Sequence, residues 1–306
     1  MDNSLLFTGD ANDFPESSEL PEGVKQIELE DDFGYGVNLI PNILYAQRDG
    51  EDLHIQLLLP TDKMDDKKTY PLIVYVQGSA WFRQKIFSSL QRLLRVCEQG
   101  YAVAIVQYRP SDVAPFPAQI QDTKTAIRFL RKNASEYKVD PERVAIWGDS
   151  SGGHTAVMVG ITDDGELDSE LDNDYSAKVK CIVDWYGPTD ISRMSSYPST
   201  MDHNEPQSPE GMLIGGKTVN ENPENVAPTI PMNYVSADKG IPPILIMHGS
   251  KDPLVHFNQS CILYNKLKEM DKEVEMYKLK GAYHGHGGFN SSKALNIVLE
   301  FIVRYI

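Results

Sequence analysis

Gly148-Asp149-Ser150-Ser151-Gly152 sets a serine between two glycines, preceded by Arg143-Val144-Ala145-Ile146-Trp147 and followed by His154-Thr155-Ala156-Val157-Met158-Val159. The first run has the make-up of a buried strand and the second that of a helix, so Ser150 falls on a strand-to-helix turn. Glycines two residues to either side keep so sharp a turn free of side-chain clashes, and the helix that follows points its positive end at the hydroxyl. Ser150 is therefore the candidate nucleophile; the competing role is an ordinary helix cap.

A serine hydroxyl attacks only when a base takes its proton and an acid orients that base. Of the chain's seven histidines, His284 stands in Gly281-Ala282-Tyr283-His284-Gly285, a glycine-rich turn after an apolar run and before the last helical pattern. A loop there can carry an imidazole to the serine turn. His286 competes for the role, while His154, inside the helix that leaves Ser150, reads as a packing residue. The acid is expected between serine and histidine. Asp252, in His248-Gly249-Ser250-Lys251-Asp252-Pro253, follows a buried run by a short turn and is preferred over Asp190, which reads as a cap. Acyl transfer also needs donors for the developing oxyanion, worth roughly 3–4 kcal/mol of barrier each. Ser151 offers its backbone N–H as the residue after the nucleophile, and Gln77-Gly78-Ser79-Ala80-Trp81 is the turn from which the others should come. Trp81 either packs beneath that turn or lines the acyl pocket.

The elements needed to hold these residues are legible. Runs rich in Val, Ile and Leu recur at Leu53–Leu59, Leu72–Val76, Ala102–Gln107, Val144–Trp147, Val179–Trp185, Ile244–His248 and Val274–Leu279. Helical patterns at Ser88–Gln99, Pro117–Tyr137, Gly152–Gly160, Asn258–Met270 and Ser292–Tyr305 separate most of them. Continuous apolar strands alternating with helices predict an α/β fold, a mostly parallel sheet covered on both faces. Pro141 reads as a turn residue ahead of the strand at Val144. Asn42–Gln47 and Leu53–Leu59 read as an antiparallel hairpin about Arg48-Asp49-Gly50. The whole chain, 1–306, is taken as one domain. Residues 186–241 break the rhythm and are read as an inserted set of short helices or a lid. Tyr186, Met194, Tyr197, Met201 and Met212 are its candidate pocket walls, with a small core of the insertion's own as the alternative.

A hydrophobic share of 41% over 306 residues is enough for a large core, and a formal charge of −15, from 44 acidic and 29 basic residues, argues against nucleic acid and anionic membranes as partners. Cys97, Cys181 and Cys261 read as reduced core thiols. The first residues lack a signal-peptide pattern, so a cytoplasmic location is expected, or a secreted one if a leader has been removed. Metal chemistry at Asp202-His203-Asn204-Glu205 or at His284 and His286 is set aside for want of ligand spacing. No glycine-rich dinucleotide fingerprint follows the first core strand. No cofactor is expected.

Gly148-Asp149-Ser150-Ser151-Gly152-Gly153 resembles the GDSAGG turn of hormone-sensitive-lipase-like α/β-hydrolase esterases, and Tyr108-Arg109-Pro110 through Phe116-Pro117-Ala118 is similar to the segment that precedes it there. The turn Gln77–Trp81, the stretch Ser208–Gly216 and the Gly281–Gly285 loop most resemble bacterial bifunctional feruloyl and acetylxylan esterases. The resemblance implies an α/β-hydrolase fold with an inserted lid-like segment. It also implies a Ser150, Asp252, His284 triad, oxyanion donors on Gly78, Ser79 and Ser151, substrate contacts at Trp81 and Tyr186, and no metal or cofactor. The usual oxyanion sequence is His-Gly-Gly-Gly, and this chain departs from it at Gln77, Ser79 and Ala80. The implied partner is a small-molecule or oligosaccharide ester, with acetyl or feruloyl groups on xylan-type polysaccharide as the substrate; a homo-oligomer is left open. A peptidase or amidase on the same fold, and an inactive hydrolase-fold binding protein, are the alternatives.

Overall fold

The hairpin that opens the sheet comes first in the chain: β1 (Gly36–Arg48) and β2 (Glu51–Thr61) pair antiparallel. The turn residues Asp49 and Gly50 both lie at positive φ, 50° and 78°, the geometry that matches a tight hairpin to the twist of its strands. The structure is a computed structural model that describes residues 8–9, 13–28, 36–61, 68–169 and 174–306. β3 (Tyr70–Val76), β4 (Ala102–Val106), β5 (Val139–Asp149), β6 (Cys181–Trp185), β7 (Ile244–Gly249) and β8 (Val274–Leu279) complete one eight-stranded sheet in the order β1-β2-β4-β3-β5-β6-β7-β8. β2 joins β4 antiparallel, and every pairing from β4 through β8 is parallel.

The inner parallel strands, β3 to β7, are mostly apolar on both sides because both sides are covered, while the edge strand β8 is only partly buried. Along β3, Leu72, Val74 and Val76 enter one core while Ile73 and Tyr75 enter the other. α2 (Ala118–Lys132), α3 (Ser151–Ile161) and α6 (Asn258–Glu269) supply Ile120, Val157 and Leu263 to the first. α1 (Leu90–Cys97) and α7 (Ser292–Ile302) supply Leu93 and Val298 to the second. Each such side chain, fully buried, is worth about 1.5–3 kcal/mol. Five helices therefore stand where the periodicity predicts them, with ends shifted by a few residues.

One detail differs from the sequence reading. β5 starts at Val139, so Pro141 lies inside a strand instead of before it. The pairing skips there, from Pro71↔Asp140 to Leu72↔Val144, and a proline without an N–H is tolerated at such an irregularity. Residues 186–241 form short pieces, among them α4 (Pro209–Leu213), α5 (Pro223–Val226) and a 3₁₀ turn at Ile191–Ser196. Ile191, Leu213, Ile214, Val219 and Val226 bury one another around Trp81, a small third core that gives these short helices something to pack on. Two units are distinguished along the chain: Gly34–Ile306, which holds the sheet, and Met1–Phe33. The described residues of Met1–Phe33 include no strand or α-helix, and one turn is closed by Val24 N–H to the Pro21 carbonyl at 3.2 Å. No helix among the described residues is long and apolar enough to cross a membrane.

Candidate active site

Ser150 stands at the C-terminal end of β5 with φ 53° and ψ −129°, a strained conformation between strand and helix. Its N–H is held by the Trp185 carbonyl at 2.8 Å, which ties the turn to β6. The flanking glycines are required by space: a Cβ on Gly148 would lie 2.0 Å from the Gly152 carbonyl oxygen, and one on Gly152 would lie 2.0 Å from that of Val76. No larger residue closes this turn against β3.

The loops after β7 and β8 bring the other two predicted residues to it. His284 Nε2 lies 2.8 Å from Ser150 Oγ, and His284 Nδ1 lies 2.7 Å from Asp252 Oδ2. With Nδ1–H donated to the carboxylate, Nε2 is left as the acceptor for the serine proton. Asp252 is fully shielded at its carboxylate, and its Oδ1 accepts the N–H groups of Leu254 and Val255, both at 2.9 Å. Burial pushes its carboxyl upward, but hydrogen bonds and positive character from His248 and His284 outweigh that and hold it well below the usual carboxylate range. His286 is exposed two residues along. Asp190 sits elsewhere, capping the Ile191–Ser196 turn through Ser192 N–H at 3.2 Å. His154 is the packing residue expected: it is buried, with Nδ1 accepting from Trp81 Nε1 at 3.3 Å and Nε2 donating to the Thr229 carbonyl at 2.8 Å. Burial lowers it to about 4, so it stays neutral.

The oxyanion turn departs from expectation at Gly78. Its N–H donates to Asp149 Oδ1 at 2.8 Å, away from the serine, because the Asp149 carboxylate sits behind the turn. Ser79 N–H is also engaged, by Ser151 Oγ at 2.9 Å. Ala80 and Ser151 line the cavity in front of Ser150, and among the described residues their N–H groups have no acceptor. Ala80 and Trp81 follow one another at φ 56° and 57°, two successive left-handed residues that turn the loop sharply. The donor positions that fit are thus Ala80 and Ser151. The small residues drew attention to this loop; which of its N–H groups are already engaged depends on the Asp149 carboxylate and the Ser151 hydroxyl beside it.

A cavity of about 50 Å³ opens at the serine, lined by Ser150, His284, Ala80, Trp81, Met201 and Leu254 among others. Trp81 therefore serves both roles considered for it, buried in the third core and bordering the cavity. Tyr186 does not line it: the ring is 2% exposed and meets His284 edge-on at 4.7 Å, and its hydroxyl bonds Asp149 Oδ2 at 3.3 Å. Its place is under the His284 loop. Met194 is buried and Tyr197 stacks on His256 at 4.4 Å, so of the methionines and tyrosines proposed as walls only Met201 is one.

Comparison with known proteins bears on this arrangement. The model of the BD-FAE family matches residues 56–267, more than half of the chain and the part that runs from within β2 into α6. The chain belongs to the BD-FAE family. Esterase LipC of Mycobacterium tuberculosis is 27% identical to this BD-FAE chain over 223 residues, 71% of the chain and 53% of LipC. The chain spans about half the length of the curated relatives it matches. Among solved structures, a truncated carbohydrate esterase from gut microbiota superposes with a TM-score of 0.75 at 31% identity, covering 90% of this chain and 98% of that one. A bifunctional GH43-CE protein of Bacteroides eggerthii gives 0.74 at 30% identity, covering 87% of this chain and 38% of that one. The fold is that of these esterases, an α/β-hydrolase.

Several groups that organise the BD-FAE site lie beyond what motif reading singled out. Asp149 joins four partners: Gly78 N–H, Tyr75 Oη at 2.7 Å, an Arg92 guanidinium nitrogen at 3.0 Å and Tyr186 Oη. One carboxylate thereby holds the serine turn, the oxyanion loop and the His284 support together. His248 places Nε2 2.8 Å from the Val255 carbonyl and 3.3 Å from Asp252 Oδ2, with Nδ1 accepting from Ser260 Oγ at 2.7 Å. The acid is therefore held by two imidazoles. Its spacing of four residues before Asp252 was readable in the sequence, but a buried histidine at the end of a strand carries no signal of whom it faces.

Proposed function

We propose that the protein is a serine esterase that removes small acyl groups, acetyl above all, from hydroxyls of xylan-type plant polysaccharide or its oligosaccharides. The observation that carries the reading is the unbroken hydrogen-bond chain Ser150 Oγ, His284, Asp252, at 2.8 and 2.7 Å. His284 takes the proton of Ser150 as Oγ attacks the ester carbonyl, and the N–H groups of Ala80 and Ser151 receive the oxyanion. Ser79 N–H joins them only by leaving Ser151 Oγ. His284 then protonates the departing alcohol, and water, activated by the same imidazole, releases the acid from Ser150. The carbohydrate-esterase names of two structural neighbours support the sugar ester as substrate. Cavity size supports acetyl over feruloyl: at about 50 Å³ it has room for a few water-sized groups, and an aromatic acyl chain would extend out of it.

A fluorophosphonate followed by intact-mass analysis tests the nucleophile. One adduct is expected on the native protein and none on Ser150→Ala; an unlabelled native protein would mean an inactive hydrolase fold. The substrate class is tested with p-nitrophenyl acetate, methyl ferulate, acetylated xylan and aminoacyl-p-nitroanilides. Turnover confined to the anilides would make it a peptidase, and methyl ferulate as the preferred ester would reverse the acyl assignment.

A further inference from the structure

The cavity at Ser150 is mostly apolar, with Trp81, Pro188, Met201 and Leu254 in its wall, yet it also contains a buried acid and base, Glu210 and His203. Both side chains are 3% exposed, and His203 Nδ1 lies 2.9 Å from Glu210 Oε1. His203 Nε2 lies 2.8 Å from Ser199 Oγ, which in turn donates to the Pro253 and Leu254 carbonyls at 3.2 and 3.1 Å. The pair is therefore fixed from behind, through the loop that carries Asp252. Burial acts to discharge His203, but the hydrogen bond and charge of Glu210 more than offset this and hold the imidazole above its ordinary 6.5.

The second carboxylate oxygen is different. Glu210 Oε2 is buried, and among the described residues nothing hydrogen-bonds to it. A buried carboxylate oxygen is expensive to leave unpaired, so each one in a folded protein calls for a partner or a reason. An ionised carboxylate only accepts, so the partner that suits it is a donor and not an ether, a carbonyl or another anion. With His203 already balancing its charge, a neutral donor suits it better than an ammonium. An acetyl group alone offers no donor and gains nothing from a carboxylate in its cavity.

We propose that Glu210 Oε2, fixed by His203, is a substrate-recognition site that accepts a hydrogen bond from a free hydroxyl on the ester, and so selects hydroxyl-bearing esters over plain ones. This rests on the esterase reading above. The hydroxyl has two possible sources with the same chemistry: the sugar, beside the acetylated position, or the acyl group, as in a 2-hydroxy acid. The charged hydrogen bond makes the selection about 10–100-fold in kcat/KM.

Matched pairs of esters test it. On the alcohol side, a mono-acetylated methyl xyloside with free neighbouring hydroxyls is compared with its O-methylated counterpart. On the acyl side, p-nitrophenyl lactate is compared with p-nitrophenyl propionate. The native protein should favour the hydroxyl-bearing member of one pair by about 10–100-fold, and that pair identifies the source. In Glu210→Gln, with Ser150 still labelled by fluorophosphonate as the check on folding, the ratio within that pair should collapse towards one. A native protein that turns over both members of each pair equally overturns the proposal, whatever the variant does. So does a Glu210→Gln protein that keeps the native ratio, since Glu210 would then only brace the loop. A native protein that is not labelled and hydrolyses none of the four overturns the esterase reading instead.

Discussion

Asp252 is a single carboxylate shared by two histidines, and this sets what its removal does. Asp252→Asn keeps the size but offers an N–H where His284 needs an acceptor, so kcat should fall about 10³–10⁴-fold, whereas Asp190→Asn should change it less than threefold. Steady-state rates on p-nitrophenyl acetate check this, and the reverse order would move the acid to Asp190. Asp149 acts one layer further back. Asp149→Asn presents an amide to the buried Arg92 guanidinium and weakens the hold on the Gly78 N–H. We expect a stability loss of about 3 kcal/mol by denaturant titration and a fall in kcat larger than the change in KM, because the oxyanion loop loses its support while the cavity walls stay. An unchanged kcat would mean that the loop holds its shape without Asp149.

At the scale of elements, β5 and α3 are joined by a turn that admits only glycine at its two flanks. Gly152→Ala puts a Cβ against the β3 backbone, where no flexible side chain can yield, at a cost of about 3 kcal/mol. Calorimetry should show a drop in Tm of roughly 6 °C, and a drop under 1 °C would show that α3 can slide away from β3. The segment between β6 and β7 illustrates the limits of periodicity. Its helices are three to six residues long, too short to show a helical repeat, and they exist because Trp81 gives their apolar residues a surface to close on. The chain pattern marked this stretch as irregular and as a source of pocket walls; that Met201, His203 and Glu210 line the cavity while Met194 is buried away from it follows from packing alone.

Across the whole molecule, stability responds to pH through groups far from the surface. Burial raises the Asp184 carboxyl from 3.8 to about 6, with Oδ1 accepting from Gly187 N–H at 3.0 Å and Oδ2 unpaired among the described residues. A carboxyl raised in the folded state adds its full stability below pH 3.8 and loses it as pH climbs through about 6. Asp184→Asn removes that loss. Its Tm relative to native should therefore be near parity at about pH 4 and higher by several degrees at about pH 8, a gap bounded by about 3 kcal/mol. An equal gap at both values would mean that Asp184 does not titrate between them.

The candidate triad and the fold class were written locally. A serine between glycines, a strand before it, a helix after it, and an aspartate and a histidine on later strand-following turns are patterns a few residues long, set by backbone geometry that neighbours in the chain impose. Which N–H groups of the Gln77–Trp81 turn are engaged, that Tyr186 packs on His284 instead of lining the cavity, and that His203 and Glu210 meet at the cavity are results of contact between segments distant in the chain. Hydrogen bonds and close packing act over a few ångströms of space, not of sequence, so residues that read alike as loop side chains became a brace for the Ser150 turn, a cavity wall or a buried ion pair only when the sheet brought the loops together.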